Sequence, residues 1–226
     1  MGIGYPLSNS IYTWRRGPDL TPPTPDGKYE YPLDRQGKPR TDLKFGEADQ
    51  FLKFIEQDVI SYVEETIFQH IDLSKGRRAL FGHSYGGIFA LNTLYTNTAL
   101  FNAYIAASPS IFWSDYALVK NQEADFLKQA KAQPPVGPPP SVIVTWGTSA
   151  QELERQPGES AENFEKRKAI AESDELKPSA LALISRLRVS PGVGRIQSHE
   201  LPGEDHGSAA VVGLQKGIMD VLVGID

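Results

Sequence analysis

A clear stretch of helical periodicity lies between residues 47 and 71. There Phe51, Ile55, Val59, Tyr62, Val63 and Ile67 recur three and four positions apart and make one apolar stripe. On either side of the next turn the period changes. A short apolar segment at 77–83 reads as a buried strand running into a sharp turn. Residues 84–96 read as a helix that packs through Ile88, Phe89, Leu91 and Leu94. "NAYIAASPS" (102–110) and the β-branched "SVIVTWGTS" (141–149) predict two further strands, and "RIQSHELP" (195–202) predicts the last. Helix is predicted in part of 112–133, over 161–189 with a break near Pro178, and over 208–223. Strands alternating with helices predict a mostly parallel sheet covered on both faces. The apolar character of the strands fits burial on both sides.

Two segments interrupt this rhythm. Gly2-Ile3-Gly4-Tyr5-Pro6 reads as a strand end, and a polar loop follows over about 7–46, rich in Pro, Gly, Asp and Arg. Loops of this length in a compact domain are usually functional or mobile. A solvated insertion is the alternative. "AQPPVGPPPS" (132–141) cannot be helical, because proline fixes φ and lacks an N–H. It reads as a stiff connector rather than a recognition ligand.

Composition narrows the class. The 226 residues suffice for a single α/β domain, 1–226. With 40% apolar and 23% charged residues the chain is globular. The net charge of −5, with no dense Lys/Arg cluster, argues against a nucleic-acid partner. No apolar run approaches the roughly 20 residues that cross a bilayer, so no membrane role is expected. The chain has no cysteine, which removes disulfides, thiolate metal sites and cysteine nucleophiles together. That composition is compatible with the cytosol, and the N-terminus carries no secretory signal. A cytoplasmic location is the expectation.

The candidate chemistry sits at Gly82-His83-Ser84-Tyr85-Gly86, a Gly-x-Ser-x-Gly motif between a predicted strand and a predicted helix. In that context the glycines make room for a strained turn, and Ser84 is lifted off the sheet edge as a nucleophile. The Tyr85 backbone N–H, at a helix start, is aimed where negative charge develops. A passive serine in a tight turn is the competing reading. A serine needs a base, and the chain has four histidines. His83 lies inside the turn, with its side chain expected to point away from Ser84. His70 is near a helix end and His199 is inside the last strand. His206 lies just past that strand in "GEDHGS", between Gly203 and Gly207, where loops at the carboxyl ends of parallel strands meet. The orienting acid is open. Glu152 is the nearest carboxylate after "SVIVTW", Glu154 the next, and Asp205 is poorly placed to reach its neighbour's ring. Either Glu152 completes a triad or Ser84 and His206 act as a dyad.

In this order "GHSYGGIFAL", "AASPSIFW", "WGTSAQ" and "DHGS" resemble the siderophore-esterase branch of the α/β-hydrolases, which cleave esters of enterobactin, salmochelin or fusarinine-type iron carriers. The resemblance covers nearly the whole chain, including "GIGYP" and "RRGPDLTP". It implies a three-layer α/β-hydrolase fold, with Ser84 as nucleophile, His206 as base and Tyr85 N–H as an oxyanion donor. Arg16 matches an arginine that faces the active site, where it holds an anionic iron complex or assists the oxyanion; a surface arginine is the alternative. The loop Ser108–Ser110 with Phe112 and Trp113 resembles a pocket wall, although these aromatics fit a core equally well. In this family "GIGYP" is the fourth strand, so the chain is expected to be N-terminally shortened. The first strands and a second oxyanion donor would then be missing, a sheet edge exposed, dimerisation plausible and activity weak.

The expected function is therefore a serine ester hydrolase acting on a small-molecule ester, possibly a ferric siderophore, with no cofactor and no resident metal. The dense prolines and the long loop lean the substrate toward the fusarinine type. A feruloyl, acetyl or S-formylglutathione esterase is the alternative within the class. A catalytically inactive siderophore-binding protein, or a structural remnant that binds nothing, is the alternative outside it.

Overall fold

The computed structural model describes residues 15–32, 38–73, 76–148, 155, 160–162, 164–165 and 176–223. The strand end expected at 2–6 and the candidate acid Glu152 lie outside these residues. Four strands, β1 (Ala79–His83), β2 (Ala103–Ala107), β3 (Ser141–Gly147) and β4 (Ile196–Leu201), form one parallel sheet in the order β1-β2-β3-β4. His83 pairs with Ala107, Ala107 with Thr145, and Gly147 with Leu201. All four strands therefore end along one edge of the sheet. The turns and loops that carry Ser84, Ser110 and His206 leave from that edge.

Seven helices accompany the sheet among the described residues: α1 (Arg16–Leu20), α2 (Ala48–Phe54), α3 (Tyr85–Thr96), α4 (Trp113–Leu118), α5 (Ala124–Ala132), α6 (Leu176–Arg188) and α7 (Ala209–Val223). The main core unites Leu52, Ile88, Leu91, Leu94, Leu118, Phe126, Leu183 and Leu187 with the strand residues Tyr104, Val142 and Val144. A smaller cluster of Ala103, Ile105 and Ile143 lies with Phe81 and Val221 of α7. Close approach is what lets α7 pack there. A Cβ at Gly213 would stand 2.5 Å from Thr145 Oγ1, and one at Gly217 would stand 2.3 Å from Ile105 Cγ2. Burying each large aliphatic side chain of this kind is worth about 1.5–3 kcal/mol.

Some expectations are met in altered form. The helix predicted over 47–71 begins as α2 and continues as wider π-type turns at Ile55–Ile60 and Tyr62–Ile67. Wide turns break the 3.6-residue period. Ile55 thus stays buried at 4% exposure, while Tyr62 and Ile67 of the same stripe reach 59% and 51%. Pro178 does not break α6 among the described residues. It sits in the first turn, where a missing N–H is tolerated.

The long segment at 7–46 is not merely a solvated loop where it is described. It contains α1, and Pro18, Asp19 and Thr21 are buried. Thr21 Oγ1 donates to the Gly17 carbonyl at 2.7 Å and accepts the Gly46 N–H at 2.9 Å. Phe45 and Tyr29 then stack around Trp113, at ring distances of 5.5 and 5.7 Å. The polyproline stretch behaves as the expected connector: the Pro140 carbonyl accepts the Gly194 N–H at 3.0 Å at the foot of the sheet.

A buried carboxylate fastens three helical segments together. Glu123, 1% exposed, accepts the Tyr95 hydroxyl of α3 at 3.0 Å. It also accepts both Nε and Nη2 of Arg186 on α6, the latter at 3.2 Å. Removing one partner of such a pair leaves a buried charge uncompensated. Arg186→Met is expected to lower stability by about 3 kcal/mol, and adding Glu123→Leu is expected to recover most of that loss. Urea unfolding of both variants checks this; an equal loss in the single and the double variant would contradict it.

Candidate active site

The site begins with a crossing of backbones. Ser84 follows β1 directly and precedes α3, with φ 59° and ψ −118°. A non-glycine residue there costs about 1–3 kcal/mol and persists only if its surroundings hold it. Ser84 N–H donates to the Ala107 carbonyl at 3.0 Å, and its own carbonyl accepts Gly87 N–H at 3.0 Å and Ile88 N–H at 3.2 Å. A Cβ at Gly82 would stand 1.8 Å from the Gly86 carbonyl oxygen, and one at Gly87 would stand 2.9 Å from Pro109 Cα. The motif's two glycines are therefore unequal. Gly86 has open space where its Cβ would go, which corrects the expectation that both glycines lack room for a side chain. Gly86 instead supplies the backbone that Gly82 must clear. Tyr85 is the first residue of α3, so its N–H has no intrahelical acceptor.

Neighbouring loops close over this turn. Ser84 is 7% exposed, and among the described residues its Oγ reaches one partner, Ser110 Oγ, at 3.4 Å. Ser110 arrives on the loop after β2, which is held by the Ser108 N–H on the Thr145 carbonyl at 2.7 Å. The sequence reading took this loop as a wall and missed the hydroxyl. Nothing in the sequence marked it, since the strand order is what brings this loop beside Ser84.

His206 comes from the loop after β4. Its ring centroid lies 4.7 Å from that of His83, and His83 Nε2 donates to the His206 carbonyl at 2.6 Å. His206 Nδ1 is buried with no partner among the described residues. Asp205 does not serve it. Its Oδ1 accepts the Ser208 N–H at 2.7 Å, while Ser208 Oγ accepts the Asp205 N–H at 3.0 Å, a reciprocal pair at the start of α7. The other histidines lie elsewhere: His70 is exposed, and His199 pairs with Asp220 at 2.5 Å. No hydrogen bond joins Ser84 Oγ to His206 among the described residues.

Arg16, at the start of α1, lies with its guanidinium 5.0 Å from the Tyr85 ring centroid. Cation–π contacts of this kind contribute about 0.5–2 kcal/mol. Trp113 meets the same ring edge-on at 6.3 Å and is 6% exposed, so it backs Tyr85 from the core side. Phe112 is exposed beside it.

A family model described as "Putative esterase" matches residues 23–180. The chain belongs to this esterase family. The curated "Siderophore enterobactin esterase" of Emericella nidulans is 37% identical over 219 residues, covering 97% of this chain and 70% of the relative. The "Siderophore triacetylfusarinine C esterase" of Aspergillus fumigatus is 34% identical, covering 96% of this chain and 68% of the relative. Among solved structures, "Siderophore hydrolase EstA from Aspergillus nidulans" superposes with a TM-score of 0.84 at 36% identity, covering 96% of this chain and 69% of that one. The fold is thus of the α/β-hydrolase type expected from the sequence.

The esterase's site has a definite electrostatic character. Burial, aided by electrostatic interaction with His83 and Arg16 and opposed by Asp205, brings the His206 pKa down to about 4. Its imidazole is neutral at pH 7 and able to take a proton. Burial also lowers the His83 pKa and raises that of the Tyr85 phenol. No group of acids and histidines suited to a metal ion occurs among the described residues, and none of their helices is long and apolar enough to cross a membrane. With His206 as base, ester turnover (kcat/KM) is expected to rise with pH through an acid limb near 4 and to be flat above about 6. A pH–rate profile with its acid limb at 6.5 or higher would contradict this environment for the base.

Proposed function

We propose that this chain is a serine ester hydrolase that opens ester bonds of a ferric siderophore, of the fusarinine or enterobactin kind. The observation that carries the reading is the strained Ser84 turn at the same sheet edge as a half-buried, neutral His206, in a chain whose relatives bear siderophore-esterase names. Ser84 Oγ attacks the ester carbonyl while its proton passes to His206 Nε2, the ring nitrogen opposite the buried Nδ1. The Tyr85 N–H receives the oxyanion of the tetrahedral intermediate. His206 returns the proton to the leaving alkoxide, giving an acyl-Ser84. It then takes a proton from the water that attacks the acyl carbonyl and passes it to Ser84 Oγ as the acyl–oxygen bond breaks, freeing the acid and Ser84. Arg16 supplies positive charge for an anionic chelate, and Trp113 stiffens the wall through Tyr85. The iron is cargo and takes no part in these steps.

The lack of cysteine supports a cytoplasmic setting. The exposed start of β1 at Ala79 supports edge pairing in a homodimer. The unbonded Ser84–His206 pair favours a second reading, a siderophore-binding protein without turnover. A panel of ferric fusarinine-type ester, ferric enterobactin, a feruloyl ester and a neutral p-nitrophenyl ester separates these readings. The proposal expects turnover of a ferric siderophore, abolished in Ser84→Ala. Arg16→Ala is expected to raise KM for the anionic chelate about tenfold, the equivalent of one lost charge-assisted contact, and to leave the p-nitrophenyl ester nearly unchanged. Binding of the chelate without turnover would establish the second reading instead.

A further inference from the structure

We infer that His83, the residue before the nucleophile, is a positioning residue that holds His206 beside Ser84, with no carboxylate doing so among the described residues. The inference rests on the esterase reading above and adds a residue to it. The hydrogen bond from His83 Nε2 to the His206 carbonyl is 2.6 Å long. A carbonyl can only accept, so Nε2 carries the proton. With its pKa lowered by burial, His83 is neutral and therefore in the Nε2–H form at pH 7.

The same side chain acts twice. It fixes the backbone of the base through this bond. It also packs on the base's imidazole, with centroids 4.7 Å apart and planes inclined at 47°. The usual handle on a catalytic imidazole is a carboxylate at Nδ1. Here Nδ1 is buried and unpartnered among the described residues, and Asp205 is engaged with Ser208. His83 holds the ring from another direction.

The strand makes this hold rigid. His83 is paired in register with Ala107, and the Ala107 carbonyl receives the Ser84 N–H. Nucleophile and positioning residue thus share one fixed piece of backbone. Gly147 closes the loop from the other side, since a Cβ there would stand 2.2 Å from the Glu204 carbonyl oxygen. The spacing between Ser84 and His206 is thereby set through one side chain on a strand. Its neutrality also matters. During acylation His206 gains a proton, and a neutral His83 adds no second positive charge beside it.

The test compares His83→Leu, which removes the donor, with His83→Gln, which keeps an N–H at similar reach. Hydrolysis of a p-nitrophenyl ester is the readout. His83→Leu is expected to lose about 10²-fold in kcat with KM within twofold, the scale of an ångström-sized misplacement of a catalytic group. His83→Gln is expected to stay within about fivefold of wild type. Wild-type kcat in His83→Leu, or an equal fall in both variants, would overturn the inference. Nitrogen-edited NMR of the wild-type imidazoles tests it without any variant. A protonated Nε2 and bare Nδ1 at His83 is expected from pH 7 to 8, and the opposite tautomer overturns it. If wild type hydrolyses no ester at all, the esterase reading fails on its own, and the NMR result still decides the hydrogen bond.

Discussion

Everything in this site depends on how closely β1 and α3 pass at their junction. With Gly82 in place, the Gly86 carbonyl lies where a side chain would otherwise stand. That contact turns the chain from strand to helix within one residue. It leaves Ser84 in a backbone conformation that most residues avoid, with its carbonyl taken by the first turn of α3 and its N–H tied to β2. The strain is sustained by pairing: the parallel register of β1, β2 and β3 fixes Ala107 and Thr145, which receive the N–H groups of Ser84 and Ser108. Local strain and sheet register are therefore one arrangement, and the serine's position at the edge of the sheet follows from both.

The proposed base is governed by desolvation. Burial holds the imidazole of His206 neutral, and the positive charge of Arg16 pushes in the same direction. An orienting carboxylate would oppose this by raising basicity, yet Asp205 does so only weakly from its place at the start of α7. A site of this kind trades basicity for availability: the base is unprotonated over a wide pH range, and geometry has to supply what charge does not. Arg16 lies over the Tyr85 ring, which brings a positive charge beside the residue that follows Ser84.

The sheet was legible because its strands are short apolar runs bounded by turn residues, and each falls within a few residues of its expected place. The place of His206 on a loop at the strand ends was legible too, since it falls just past the last apolar and polar alternation. Other features were hidden for physical reasons. The burial of Thr21 and Phe45 arises from contacts between distant segments, so 7–46 looked merely polar. The left-handed turn at Ser114, Asp115 and Tyr116 carries no glycine or asparagine to announce it. Its Ser114 Oγ accepts the Glu30 N–H at 3.0 Å, another distant tie. The roles of Ser110 and His83 depend on which loops share the strand ends, which only the strand order reveals. Gly86 shows the reverse limit: the motif was read correctly, but the physical reason given for its second glycine was not.

The central claim is that Ser84 is an activated nucleophile. Intact mass after incubation with a fluorophosphonate, on wild type and Ser84→Ala, tests it most directly. The account predicts a single adduct on wild type and none on the variant. An unmodified wild-type chain that is demonstrably folded, or equal labelling of both, would contradict it.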